Sequence, residues 1–120
     1  MRLETAFSMD TSSIKFGPGV TREVGYEMQR LGARRVMVVT DPGMASSQAV
    51  SVTLESLQAE GIDAALFDDV SVEPTDESFN KAIKFATEGS FDGYVAVGGG
   101  SSMDTAKAAN LYATYPADFL

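Results

Sequence analysis

Ten consecutive residues, Gly98-Gly99-Gly100-Ser101-Ser102-Met103-Asp104-Thr105-Ala106-Lys107, carry the most chemistry in this sequence. They follow an apolar run, Tyr94-Val95-Ala96-Val97, and open a segment with helical potential. Glycine lets the backbone take positive φ and lets a ligand approach without a side chain in the way. Amides at a helix start point outward, and the helix dipole favours an anion there. The order strand, glycines, helix can therefore cradle a phosphate. Ser101 is placed to cap the helix, with Asp104 three residues on completing a capping box. Lys107, one turn on, reads as an ion-pair partner of Asp104 without a catalytic role. The competing reading is a glycine turn that packs a helix tightly on its strand. The run is neither G-x-G-x-x-G nor a Walker loop. No G-K-[ST] comes after it, which argues against nucleoside triphosphate hydrolysis.

Asp41 is the second group with chemical potential. It comes after the apolar run Val36-Met37-Val38-Val39 and Thr40, at the strand edge where open α/β sheets bind ligands. A carboxylate there can accept both hydroxyls of a ribose and repel a 2′-phosphate. Asp41-Pro42-Gly43 is also an ordinary turn sequence.

These groups need elements to position them. Val36-Met37-Val38-Val39, Ala64-Ala65-Leu66-Phe67 and Tyr94-Val95-Ala96-Val97 read as strands. The first is unbroken in the way of a strand buried on both faces. The strands recur about every thirty residues with a helix after each, the pitch of βα units in a parallel sheet. A further short strand is read over Thr11–Phe16, with the turn Phe16-Gly17-Pro18-Gly19 at its end. Val20, Val24, Met28 and Leu31 mark one helix, closed by Gly32, and Val50, Leu54 and Leu57 mark the next, closed near Gly61. Thr75 caps a third, with Asp76 and Glu77 in its first turn, Phe79, Ile83 and Ala86 on its apolar stripe, and a Glu77–Lys81 pair. The expected class is α/β, a parallel sheet with helices on both faces.

Composition bounds the function. The 120 residues make one domain, and 44% apolar with 22% charged content fits an ordinary globular chain. A net charge of −8 argues against nucleic-acid or anionic-membrane partners. An anionic ligand must then be held by local dipoles. No apolar run reaches the ~20 residues of a membrane span, and the opening Met1-Arg2-Leu3-Glu4-Thr5 does not read as a secretory signal. There is no cysteine, so no disulfide or thiolate metal site, and no histidine, the usual near-neutral base and zinc or iron ligand. Neither a catalytic nor a metal residue is assigned in this chain.

The stretch Asp92–Lys107 resembles the cofactor signature of the iron-containing alcohol dehydrogenase family, a strand followed by G-G-G-S-x-x-D-x-A-K. Phe16-Gly17-Pro18-Gly19, Thr40-Asp41 and Val72-Glu73-Pro74 resemble further family motifs, in order. Glu4-Thr5-Ala6-Phe7, Val72-Glu73-Pro74-Thr75-Asp76 and Met103–Tyr112 are similar to the hydroxyacid-oxoacid transhydrogenase branch. The resemblance implies a Rossmann-like nucleotide-binding domain of the dehydroquinate synthase-like, iron alcohol dehydrogenase fold. Residues 1–120 would be its N-terminal part. It implies NAD as cofactor in preference to NADP, with Gly98, Gly99, Gly100 and Ser101 on the pyrophosphate, Asp41 on the adenosine ribose and Asp104 beside the loop. Fe2+ or Zn2+ would be held by a helical C-terminal domain beyond this chain. The implied substrate is a small alcohol or hydroxyacid, 4-hydroxybutyrate with 2-oxoglutarate in that branch. The whole protein is expected to be a homo-oligomer, cytoplasmic if bacterial and mitochondrial if eukaryotic. The alternatives are an NAD-dependent primary alcohol or diol dehydrogenase of the same family and, in another class, a non-catalytic nucleotide-binding module. A receiver-like signalling domain also alternates β and α, but the triple glycine speaks against it.

Overall fold

The computed structural model describes residues 20–71 and 75–114. The strand read over Thr11–Phe16, the Phe16-Gly17-Pro18-Gly19 turn and Val72-Glu73-Pro74 lie outside the described residues. A 3-10 turn, Val20–Glu23, leads into α1 (Val24–Arg30). The chain continues through β1 (Arg35–Val39), α2 (Gln48–Ala59), β2 (Asp63–Phe67), α3 (Asp76–Gly89), β3 (Gly93–Ala96) and α4 (Gly100–Thr114). The strands form one parallel sheet in the order β2-β1-β3. Val38 sits opposite Leu66 on one side and Val95 on the other.

The central position of β1 explains its composition. Val36, Met37, Val38 and Val39 are all 0% exposed, as a strand covered on both faces requires. Successive side chains point to opposite faces. Val36 and Val38 pack with Val24 and Met28 of α1 and Val50 and Leu57 of α2. Met37 and Val39 pack with Ala82 and Ala86 of α3 and Ala106 and Ala109 of α4. The expected α/β sheet with helices on both faces is therefore what forms.

Two helices stop by the same device. Gly32 (φ 85) and Gly61 (φ 75) take the left-handed conformation that a side chain disfavours. The Gly32 amide donates to Gln29 O and that of Ala33 to Met28 O, and the Gly61 amide donates to Gln58 O and that of Ile62 to Leu57 O. This double bond pattern closes the helix. Buried Ala33 and Ile62 then lead the chain into β1 and β2. At the start of α3, Thr75 accepts from the Ser78 amide and Ser78 Oγ accepts from the Thr75 amide, a reciprocal capping box.

Three expectations change. Leu31 is 55% exposed, because the helix has already ended at Arg30 and turned its stripe away. Lys81 pairs with Asp69 at 3.3 Å in the loop after β2, which draws it from Glu77. Ser101 does not cap α4, because the helix begins one residue before it.

Candidate functional site

The sheet order makes a crevice. From the central β1 the chain turns to one face and returns as β2, and β3 lands on the other side of β1. α2, after β1, lies with one core, and α4, after β3, lies with the other. The loops leaving β1 and β3 thus part to opposite faces at the carboxyl edge. That is the topological switch point at which open α/β sheets bind ligands. Asp41 and Gly98 are the residues that leave it.

Asp41 comes directly after Thr40 and opens the loop to α2. Its Oδ1 accepts from the Met44 amide at 2.9 Å, and its own carbonyl accepts from the same amide at 3.1 Å. Ser47 then accepts from the Val50 amide and caps α2. The turn reading of Asp41 is therefore correct for one oxygen. The other oxygen, Oδ2, lies 3.4 Å from the point where a Gly98 Cβ would stand. Half-buried Asp41 thus faces the glycine loop with a carboxylate already oriented by its own turn.

The three glycines divide by cause. Gly98 has φ 138, and a Cβ there would meet Ser102 Oγ at 2.9 Å, so folding itself demands glycine. Gly99 and Gly100 are different, since a Cβ on either would meet no atom of the described residues within 4 Å. Neither amide donates to a described backbone group, and the Gly99 carbonyl accepts from the amides of Ser102 and Met103. α4 therefore starts at Gly100 with exposed backbone, open space and its positive dipole end toward the crevice.

The two serines take different places. Ser101 is the second residue of α4, and its carbonyl accepts from Thr105 Oγ1 at 2.7 Å. Ser102 is buried beneath the loop, and its Oγ is the one buried side-chain polar atom among the described residues that lacks a hydrogen-bond partner. Asp104 lies in the second turn, exposed, and forms no ion pair with exposed Lys107 among the described residues. The geometry sets Asp41 against the glycine loop, which runs into the first turn of α4, with Asp104 in the turn after it.

Sequence reasoning gave no role to Thr40 or Ser102. Thr40 is 0% exposed, and its Oγ1 donates to Val97 O at 2.7 Å, joining the ends of β1 and β3. A hydroxyl continuing a buried apolar strand was the available signal, since buried polar groups must find partners. In the sheet itself, burial of Tyr94, reinforced by the Asp92 charge, pushes its phenol pKa upward. Among the described residues, no group of three or more His, Cys, Asp or Glu side chains could hold a metal, and no helix is long and apolar enough to cross a membrane.

This geometry has relatives. The family model for iron-containing alcohol dehydrogenase matches residues 11–120. The chain is 53% identical over 111 residues to the mitochondrial hydroxyacid-oxoacid transhydrogenase of Mus musculus, covering 92% of this chain and 24% of that protein. The Homo sapiens transhydrogenase is 52% identical over 116 residues, covering 96% of this chain and 25% of that one. The fold superposes on 1,3-propanediol oxidoreductase with a TM-score of 0.79 at 33% identity, over 91% of this chain and 28% of that one. It superposes on the NADH-dependent butanol dehydrogenase A of Thermotoga maritima with a TM-score of 0.79 at 27% identity, over 92% and 28%. The chain thus spans about a quarter of the length of the curated relatives it matches. With nearly all its length matched by one family model and its glycine loop at the switch point of that fold, the chain belongs to the iron-containing alcohol dehydrogenase family.

Proposed function

We propose that the switch point binds NAD and that the chain is the cofactor-binding part of a hydroxyacid-oxoacid transhydrogenase. The observation that carries the cofactor reading is the open space over Gly99 and Gly100, at the start of α4 and beside Asp41 Oδ2. Among the described residues, nothing in the packing asks for glycine at those two positions. A pyrophosphate does, since it must approach backbone amides closely. The unpartnered Ser102 hydroxyl beneath the loop fits a site that gains hydrogen bonds when filled.

In this reading Gly98 shapes the turn, and Gly99, Gly100 and Ser101 hold the pyrophosphate. Asp41 accepts the adenosine ribose hydroxyls and repels a 2′-phosphate, which favours NAD over NADP. Bound nicotinamide supplies a hydride acceptor and donor. The chain's own residues bind and orient it, with Asp104 one turn into α4 beyond the loop. The described residues do not fit an Fe2+ or Zn2+ site, so the ligands of such an ion are assigned to the remaining length that the relatives have.

The transhydrogenase reading rests on the mouse and human relatives, at 53% and 52% identity. The reaction balances without an outside oxidant. 4-Hydroxybutyrate gives up a hydride and a proton to become succinate semialdehyde, and 2-oxoglutarate takes up both to become 2-hydroxyglutarate. Purified full-length protein given 4-hydroxybutyrate and 2-oxoglutarate, with no added nicotinamide, should form both products in equal amounts. A strict need for added NAD would replace this reading with a simple alcohol dehydrogenase.

A further inference from the structure

We propose that Thr40 is a positioning residue. Its hydroxyl fixes the Asp41 carboxylate relative to the Gly98–Gly100 loop, and thereby sets the discrimination between a plain ribose and one carrying a 2′-phosphate. The inference rests on the reading of the switch point as a dinucleotide site.

Thr40 is wholly buried and divides its polar groups between two strand ends. Its amide donates to Phe67 O at 2.9 Å, and its carbonyl accepts from the Val70 amide at 3.3 Å, so the backbone is committed to the β2 side. Toward β3 only the side chain remains. The last backbone rung there is the Val97 amide on Val39 O, at 2.9 Å. One step nearer the crevice, Thr40 Oγ1 donates to Val97 O at 2.7 Å. This bond joins the residue before Asp41 to the residue before Gly98.

Beyond these two residues each strand end runs into its own loop. Gly98 has φ 138 and no side chain to anchor it. Asp41 is held within its own loop, through Met44, and faces Gly98 across the crevice. The Thr40 hydroxyl is thus the last described tie between the two loops before the crevice opens. The cost of bringing a 2′-phosphate near Asp41 depends on holding that carboxylate in place, because Coulomb repulsion falls with distance and with solvent entry. A hydroxyl that only stabilised the sheet would weaken binding of both cofactors in parallel when removed.

The test is equilibrium binding of NAD and of NADP, by calorimetry, to the full-length protein and its variants. Thr40→Val keeps the volume and removes the donor. It should weaken NAD binding about tenfold, affect NADP less, and so narrow the ratio between the two. Thr40→Ser keeps the hydroxyl and should retain the wild-type ratio. Thr40→Cys donates only weakly and should narrow the ratio even if the valine variant fails to fold. A wild-type ratio in the folded Val or Cys variant, including a parallel loss for both cofactors, would overturn the proposal. So would a serine variant that narrows the ratio as much as cysteine does. If the unaltered protein binds neither dinucleotide, or if Asp41→Gly leaves the ratio unchanged, the cofactor reading falls and Thr40's role falls with it.

Discussion

Gly98 and the two glycines after it answer to different forces, and substitutions should separate them. Gly98→Ala must strain φ 138 and crowd Ser102 Oγ, so thermal unfolding of the full-length protein should show a loss of about 1–3 kcal/mol. Gly99→Ala meets open space and should leave stability within about 0.5 kcal/mol of wild type. Asp41→Gly should weaken NAD binding and admit NADP, read as a change in the affinity ratio of the two. That Asp41 and the three glycines stand at strand ends was legible from residue type and spacing, because apolar runs that end in turn residues mark such edges. Ser101 and Ser102 were not. Which serine is buried depends on the helix starting at Gly100, and neighbouring serines carry no periodic signal to fix that residue. Thr40 was hidden for another reason, since its partner Val97 is remote in sequence and only the strand pairing brings it close.

The elements hold the site through close contacts that can be tested one at a time. The Gly25 amide donates to Ser56 Oγ at 2.8 Å, and Ser56 Oγ donates to Arg22 O at 3.0 Å, clasping α1 to α2. A Cβ on Gly25 would overlap the Ser56 carbonyl. Gly25→Ala should therefore cost about 1–3 kcal/mol as the helices separate, measured by denaturant unfolding. Helix stripes and glycine stops were readable because their period and conformation are local. The clasp was not, because the steric demand on Gly25 comes from a different helix. Tyr94 of β3 gives the sheet a pH response. Its folded pKa is raised, so the native state keeps the proton longer than the unfolded chain does. Its stabilising contribution is full below the unfolded value of 10.0 and is lost as pH rises from there through the folded value. Tyr94→Phe should flatten that part of the alkaline unfolding curve, and an unchanged curve would remove Tyr94 as its source.

At the scale of the whole molecule, strand order matters more than any single contact. With β1 in the centre, the loops after β1 and β3 diverge, and Asp41 meets the glycine loop across the gap. The βα alternation was legible, whereas the order β2-β1-β3 arises from packing of the two cores and from no local signal. In the proposed reading, this region binds and orients the cofactor within a protein about four times as long. The central claim is that the space over Gly99 and Gly100 belongs to the cofactor. Calorimetric titration of NAD into the full-length protein and its Gly99→Val variant tests it most directly. The wild type should bind saturably, and a variant that remains folded should bind at least about a hundredfold more weakly. Equal NAD affinity in the two folded proteins would contradict the claim.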